Sequence, residues 1–293
     1  MDTAIALALF SGTMWGINMV IARWSLAKTG AASDVGALVS IGGATLVATG
    51  LAVVTGADTA GITAANIVRF AIVGAIAPGA AQVLFMASIR TIGSARAGVL
   101  IGTAPMFAVV LAIFFLDEGW RTVIIVGTVA TVAGGILLSW EKGVASSETI
   151  RRLGIAYAAM TAMAFGVRDV VARHFTSGVD IDVAWAAVIV LCAGSAALLI
   201  ITLFRTRAIV SEVKSTLPSM AWSGLVVGCA LPALLASLER GEVGTVAPIN
   251  NAAQVVTVVL LSAIVFGKRE RTVRVVAALT LIVAGGTLIG LAQ

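Results

Sequence analysis

Charge is what this sequence has least of. Only 11% of its 293 residues are Asp, Glu, Lys or Arg, 60% are hydrophobic, and mean hydropathy is +1.09. A soluble domain carries about 25% charged residues because its surface must be solvated, so soluble enzymes and disordered chains are excluded. There are two cysteines, Cys192 and Cys229. Both lie in apolar stretches, where they read as small hydrophobes, and they cannot staple a disulfide scaffold. There is one histidine, His174, and there is no HExxH motif, no carboxylate cluster within an apolar stretch and no glycine-rich phosphate loop with its lysine. An integral membrane enzyme such as a lipid-modifying transferase would lack its metal or acid–base chemistry, so no catalytic residue, metal or cofactor is expected. The net charge of +5 is not gathered into a patch, which argues against nucleic acid as a partner.

What is present is long apolar runs. They fall at 4–27, 34–55, 67–89, 95–116, 122–140, 153–175, 182–204, 219–238, 243–266 and 273–292. A bilayer-crossing helix needs about 20 such residues, so the expectation is an all-α integral membrane protein of ten transmembrane helices. A β-barrel would alternate polar and apolar residues, whereas 123–138 stays apolar throughout. The start, Met1-Asp2-Thr3, lacks the basic region of a cleaved signal, so the first stretch reads as a retained span. A multi-pass protein of a bacterial inner membrane is the expected setting, with the lipid bilayer as its surroundings.

The chain matches itself at an offset of 150 residues. Gly16 meets Gly166, Arg23 meets Arg173, Gly74 meets Gly224, Arg90 meets Arg240, and Arg121-Thr122-Val123 meets Arg271-Thr272-Val273. This divides the chain into a first five-helix repeat at 1–140, a linker at 141–152 and a second five-helix repeat at 153–293. Five spans is an odd number, so the second repeat would be inverted relative to the first. Inverted repeats characterise secondary transporters, with the substrate near the midplane at the repeat interface. Number the connections from the N-terminus. Arg23, Lys28, Arg90, Arg96, Lys142, Arg151, Arg152, Arg205, Arg207, Lys214, Lys268, Arg269, Arg271 and Arg274 lie at odd ones, and Arg69, Arg121, Arg173 and Arg240 at even ones. The positive-inside rule then puts odd connections in the cytoplasm and both termini outside.

Small residues recur at every fourth position, as in Gly12/Gly16, Gly98/Gly102, Gly224/Gly228, Gly286/Gly290 and the run Gly127, Thr131, Gly135, Ser139. Such faces let helices approach closely in lipid. Helix contact within a monomer is expected, with a dimer seam as the alternative. Pro78, Pro105, Pro232 and Pro248 fall inside the apolar stretches and should bend or break them. Trp120, Trp140 and Trp222 lie at stretch ends and read as interfacial anchors.

Trp15-Gly16 followed by Asn18, matched by Phe165-Gly166 in the second half, resembles the opening of the EamA family of the drug/metabolite transporter superfamily. So does Ala104-Pro105 running through Phe115-Leu116-Asp117-Glu118 into a glycine-rich fifth stretch. The second copy departs from this pattern: its acid is at Glu270 and its proline at Pro248. The resemblance implies a ten-helix metabolite exporter with a cavity between the halves, most like the branch that exports aromatic and other amino acids. Members commonly have cytoplasmic termini, opposite to what the charge distribution gives here, so orientation stays open.

A transporter works by selective solvation, and polar groups at membrane depth are its informative residues. Asn18 lies in the first stretch, and the repeat puts Arg168 in the matching place. An amide can hold either end of a zwitterion, and a guanidinium can clamp a carboxylate. Asp169 neighbours Arg168 and is spaced for an intrahelical pair with Arg173. Asn250, Asn251 and Gln254 follow Pro248 within two turns, and Gln82 follows Pro78-Gly79. Trp15, Phe165 and Trp185 are candidates for an aromatic lining, with Tyr157 and Phe107 behind them. His174 reads as an interfacial residue. The candidate substrate-binding set is therefore Trp15, Asn18, Gln82, Phe165, Arg168, Trp185, Asn250, Asn251 and Gln254. The expected ligand is an amino acid or similar small metabolite, with hydrophobic cations or drugs as the alternative. Proton coupling is not evident, which leaves facilitated diffusion or exchange.

Overall fold

The computed structural model describes residues 2–116, 121–139, 148–176 and 179–266, with positions 277, 280–282, 284, 285 and 288 beyond them. Every regular element among these residues is helical: α1 (Asp2–Thr29), α2 (Ser33–Val54), α3 (Ala64–Gly74), α4 (Ala81–Ile92), α5 (Ser94–Ile101), α6 (Ala104–Phe115), α7 (Thr122–Ser139), α8 (Glu148–Thr176), α9 (Val183–Arg205), α10 (Ile209–Arg240) and α11 (Val243–Val265). Among the described residues, seven helical segments are long and apolar enough to cross a membrane: Thr3–Thr29, Ser33–Val54, Ala64–Ile92, Glu148–Thr176, Val183–Arg205, Ile209–Arg240 and Val243–Val265. The chain is a multi-pass helical membrane protein. Residues 141–147 of the expected linker, most of the tenth apolar stretch, Trp120, Trp140 and the acidic turn Asp117-Glu118 lie outside the described residues, whereas 148–152 of that linker form the start of α8.

Two expected spans are broken rather than continuous. Between α3 and α4 a wide turn runs over Ala75–Ala80, with Ala77 extended at φ −153° and ψ 118°. Pro78 has no N–H to offer the carbonyl of Gly74, so the helix cannot pass through unbroken. The fourth stretch divides into α5 and α6 at Gly102 and Thr103, with Pro105 in the first turn of α6. There a missing N–H costs nothing, because first-turn donors have no helical acceptor. The eighth stretch, expected from 219, begins ten residues earlier at Ile209. Trp222 is therefore well inside α10 rather than at its end, and it is 60% exposed.

The connections sort by parity. Arg90 in the last turn of α4 donates to the Ala31 carbonyl between α1 and α2, and Arg205 at the end of α9 pairs with Asp34 at the start of α2. At the other end, Asp182 accepts from the Asp58 N–H, and Arg121 pairs with Glu242. Odd connections meet odd ones, and even connections meet even ones.

Helix packing follows the 150-residue offset. α1 lies against α10 and α11, whereas α8 lies against α4 and α6. A Cβ on Gly16 would stand 2.7 Å from the Gln254 carbonyl oxygen and 2.6 Å from Thr257 Cβ. On Gly166 it would stand 3.0 Å from the Ala104 carbonyl oxygen and 2.7 Å from Phe107 Cβ. The atoms met are themselves 150 positions apart. The same holds for Gly74 against the Val190 carbonyl and Gly224 against that of Ser40. α2 and α9 pack together, and Thr45 shares a 3.0 Å hydrogen bond with Ser195, its own counterpart at the offset. Only glycine admits such backbone approach, and without a hydrophobic force in lipid this contact holds the helices together. Buried hydroxyls add to it. Ser25 bonds Ser219 at 2.6 Å, Ser40 bonds Ser223 at 2.5 Å, and Ser11 donates to the Ala230 carbonyl at 2.9 Å. Each such bond contributes about 0.6–2 kcal/mol in a membrane.

Candidate functional site

α1, α5, α6, α8 and α11 surround one small cavity. Its walls are Trp15 from α1, Ile101, Ala104 and Pro105 around the α5–α6 break, Phe165, Arg168 and Asp169 from α8, and Ala247, Asn250, Asn251 and Gln254 from α11. The cavity holds about 20 Å³, room for a water or so and too little for a metabolite. This conformation is therefore closed around its polar centre.

The charges in it are fully withdrawn from the surface. Arg168 donates to Asp169 Oδ1 from Nε at 2.9 Å and from Nη2 at 2.8 Å, and the two residues are only 3% and 5% exposed. The expected spacing of Asp169 with Arg173 is not used. Arg173 instead donates to the carbonyls of Leu238 and Glu239 at the end of α10. The guanidinium of Arg168 also lies 4.7 Å from the ring centre of Phe165 and 5.9 Å from that of Trp15. Trp15 and Phe165 stand 6.3 Å apart, with Phe85 behind them at 6.2 Å from Phe165. The cation is thus held between one carboxylate and two aromatic faces.

The amides of α11 divide their duties. Asn251 donates to the Gly102 carbonyl at 2.9 Å, satisfying an acceptor that the α5–α6 break leaves without a helical donor. Gln254 reaches Met19 Sδ at 3.4 Å. Among the described residues, three cavity-lining groups have no hydrogen-bond partner: Trp15 Nε1, Arg168 Nη1 and Asn250 Oδ1. Two donors and one acceptor, each buried, converge on one space. Buried polar groups are almost always satisfied, and an unmade bond costs about 1–3 kcal/mol, so this arrangement is one that a polar ligand relieves.

Six of the nine residues expected from sequence line this cavity: Trp15, Phe165, Arg168, Asn250, Asn251 and Gln254. Three do not. Asn18 is fully buried, and its Oδ1 accepts from Ser223 at 2.5 Å, in the seam of α1 with α10. Gln82 is fully buried in α4 with neither amide atom partnered. Trp185 lies near the start of α9 and donates to the Ala57 carbonyl at 3.1 Å, at the even-connection end. Phe107 points outward at 39% exposure. Sequence reasoning missed Asp169 as a cavity wall because it treats the carboxylate only as a pairing partner, of Arg168 beside it or of Arg173 one turn on. It also missed Ile101, Ala104 and Ala247, which carry no chemical signal in an Ala- and Ile-rich chain. Among the described residues no group of His, Cys, Asp and Glu could hold a metal ion.

Comparison with known proteins agrees with this architecture. Residues 2–140 match the model of the EamA-like transporter family, so an EamA domain covers the segment expected as the first repeat. The chain also resembles a crystal structure of a protein 19% identical to it, with a TM-score of 0.73 over 99% of this chain and 97% of that one. At that identity the likeness is one of fold. No curated protein matches.

Proposed function

We propose that this chain is a secondary transporter that exports small metabolites from the cell across the inner membrane, amino acids with aromatic or other apolar side chains above all. It would work by alternating access between two inverted five-helix repeats. The observation that carries this is the closed cavity in which Arg168, Trp15 and Asn250 present unpaired buried polar atoms beside two aromatic faces. An amino acid is complementary to that set. Its carboxylate suits Arg168 Nη1 and Trp15 Nε1, its ammonium suits Asn250 Oδ1 and the Asp169 carboxylate, and an apolar side chain suits Trp15 and Phe165.

Ten spans in two inverted halves are supported by three observations. Connections of like parity meet at each end. The Gly16/Gly166 and Gly74/Gly224 contacts repeat at the offset, and α6 and α7 add shorter apolar helices between the long ones. Hydrophobic cations remain the second reading, favoured by the aromatic walls and Asp169. A fixed guanidinium in the same cavity opposes it through like-charge repulsion. Purified protein in liposomes should take up labelled phenylalanine, leucine or a related amino acid faster than empty vesicles. Uptake equal to empty vesicles for all twenty amino acids would refute the amino-acid assignment.

A further inference from the structure

Arg23 and Arg173 are counterparts at the 150-residue offset, yet in this conformation they do different work at opposite ends of the molecule. Arg173, in the last turn of α8, donates from Nη1 to the carbonyls of both Leu238 and Glu239, each at 2.7 Å. These are end carbonyls of α10, which lack helical donors and carry the negative end of the helix dipole, so the contact is two short charge-assisted bonds. The Arg121–Glu242 pair closes the same end at 3.3 Å. Arg23, towards the end of α1, stacks its guanidinium 4.1 Å from the ring centre of Phe266, beyond α11. It also stands beside the end of α4, since a Cβ on Gly93 would be 3.8 Å from its Cζ. The offset counterparts of the Leu238 and Glu239 carbonyls are those of Ser88 and Ile89, on the last turns of α4. Arg23 is thus parked on an aromatic ring beside two carbonyls that already accept from Thr91 Oγ1 at 3.1 Å and the Gly93 N–H at 2.9 Å, each with a second lone pair to offer.

We infer that these two arginines are repeat-related latches. Arg173 holds the even-connection end shut in this conformation, and Arg23 takes the equivalent hold on Ser88 and Ile89 at the odd-connection end when the even end opens. The inference rests on the alternating-access reading given above. It also contains an asymmetry. Phe266 offers Arg23 a ring on which to rest, whereas the counterpart position for Arg173 is Leu116, which offers none. Release of Arg173 is therefore the less favoured of the two exchanges, and the even end should rest shut.

The test is the accessibility of the cavity from each face. Cys192 and Cys229 are replaced by alanine, Ala247→Cys is introduced into the cavity wall, and labelling by a membrane-impermeant thiol reagent is timed from each side of oriented vesicles. A separate Thr59→Cys control identifies the even-connection face. Arg173→Ala should speed labelling from the even face at least tenfold and slow it from the odd face. Arg23→Ala should do the reverse, and Arg173→Lys should fall between Arg173→Ala and the unsubstituted protein. Rates that respond to added amino acid but not to either arginine overturn the latches and leave the transporter reading standing. Labelling that rises from both faces alike in either variant marks a clamp that holds the fold together, and it also overturns the inference. A cysteine labelled from one face only, in every variant and with every amino acid, overturns the latches together with alternating access.

Discussion

Replacing Arg168 separates what the cavity does for the fold from what it does for a ligand. Arg168→Met keeps the length of the side chain but leaves the Asp169 carboxylate, 5% exposed, without its two bonds at 2.9 and 2.8 Å. Removing one partner of a buried ion pair costs about 3–5 kcal/mol, because a charge is left desolvated and unpaired. Removing both partners is often neutral, since neither desolvation penalty is then incurred. Arg168→Met should therefore unfold at markedly lower temperature or denaturant concentration. The double variant Arg168→Met with Asp169→Leu should recover most of that loss, to within about 1–2 kcal/mol of the unsubstituted protein. If Arg168 holds the substrate carboxylate as proposed, transport should not recover with it, because the cation is gone in both. Measured in the same lipid nanodiscs and liposomes, stability and flux should part company in the double variant. Flux that returns along with stability would show that the pair serves the fold alone and would remove Arg168 from the ligand site. An Arg168→Met variant as stable as the unsubstituted protein would refute the reasoning about the buried pair itself.

Other substitutions probe single features. Gly16→Ala puts a methyl 2.6 Å from Thr257 Cβ and should lower stability by about 1–3 kcal/mol, whereas Gly42→Ala, with nothing within 4 Å of the new carbon, should stay within about 1 kcal/mol; thermal unfolding distinguishes them. Asn251→Ala strips the Gly102 carbonyl of its 2.9 Å donor and should cost about 1–3 kcal/mol, with a loss of flux because the α5–α6 break forms one cavity wall. Trp15→Phe keeps an aromatic face but removes the unpartnered Nε1 together with part of the indole ring; it should raise the KM for transport several-fold at a cost of about 1–2 kcal/mol in stability, and an unchanged KM would take Nε1 out of the site. Flux of a neutral zwitterion should be the same with and without an imposed membrane potential, as read by ion gradients across the liposome.

The composition and the length of the apolar runs made the helical membrane class legible, because the bilayer leaves the backbone only helices and closed barrels, and unbroken apolar runs do not fit a barrel. The offset of 150 was legible because arginine is rare in such a chain, so that its coincidences count, and glycine matches fall at the same offset. It led to Gly16, Gly166, Gly74 and Gly224, which make matching backbone contacts. The breaks were only half legible. Pro78 marked its own, but the division of the fourth stretch falls at Gly102 and Thr103, just ahead of Pro105, where the proline fits a new first turn. Cavity-lining residues were legible where polarity conflicts with depth, as for Arg168 and Asn250. They were not legible where a polar residue has a private partner. Asn18 and Arg168 occupy matching positions, yet a serine at 223 takes Asn18 into a helix seam, and its counterpart at the offset is Val73. Local spacing favoured Asp169 with Arg173, but the open carbonyls at the end of α10 claimed Arg173 instead.

That reassignment bears on what the cavity can carry. When both members of the Arg168–Asp169 pair are ionised, the polar centre holds one positive and one negative charge and is neutral as a whole. A neutral centre can change sides without moving net charge through the field, whereas each unpaired elementary charge costs about 2.3 kcal/mol per 100 mV. A zwitterion adds one charge of each sign and preserves that neutrality. Its carboxylate can share the guanidinium through Nη1, and its ammonium can approach Asp169 and Asn250. Empty and loaded forms then face similar electrostatic costs in crossing, which is what exchange or facilitated diffusion requires. A hydrophobic cation would leave the loaded centre with a net positive charge in a low-dielectric interior, and a lone anion would leave it negative. On the proposed reading, the pairing of Arg168 with its own neighbour, rather than with a residue one turn away, would make the cavity select ligands with no net charge.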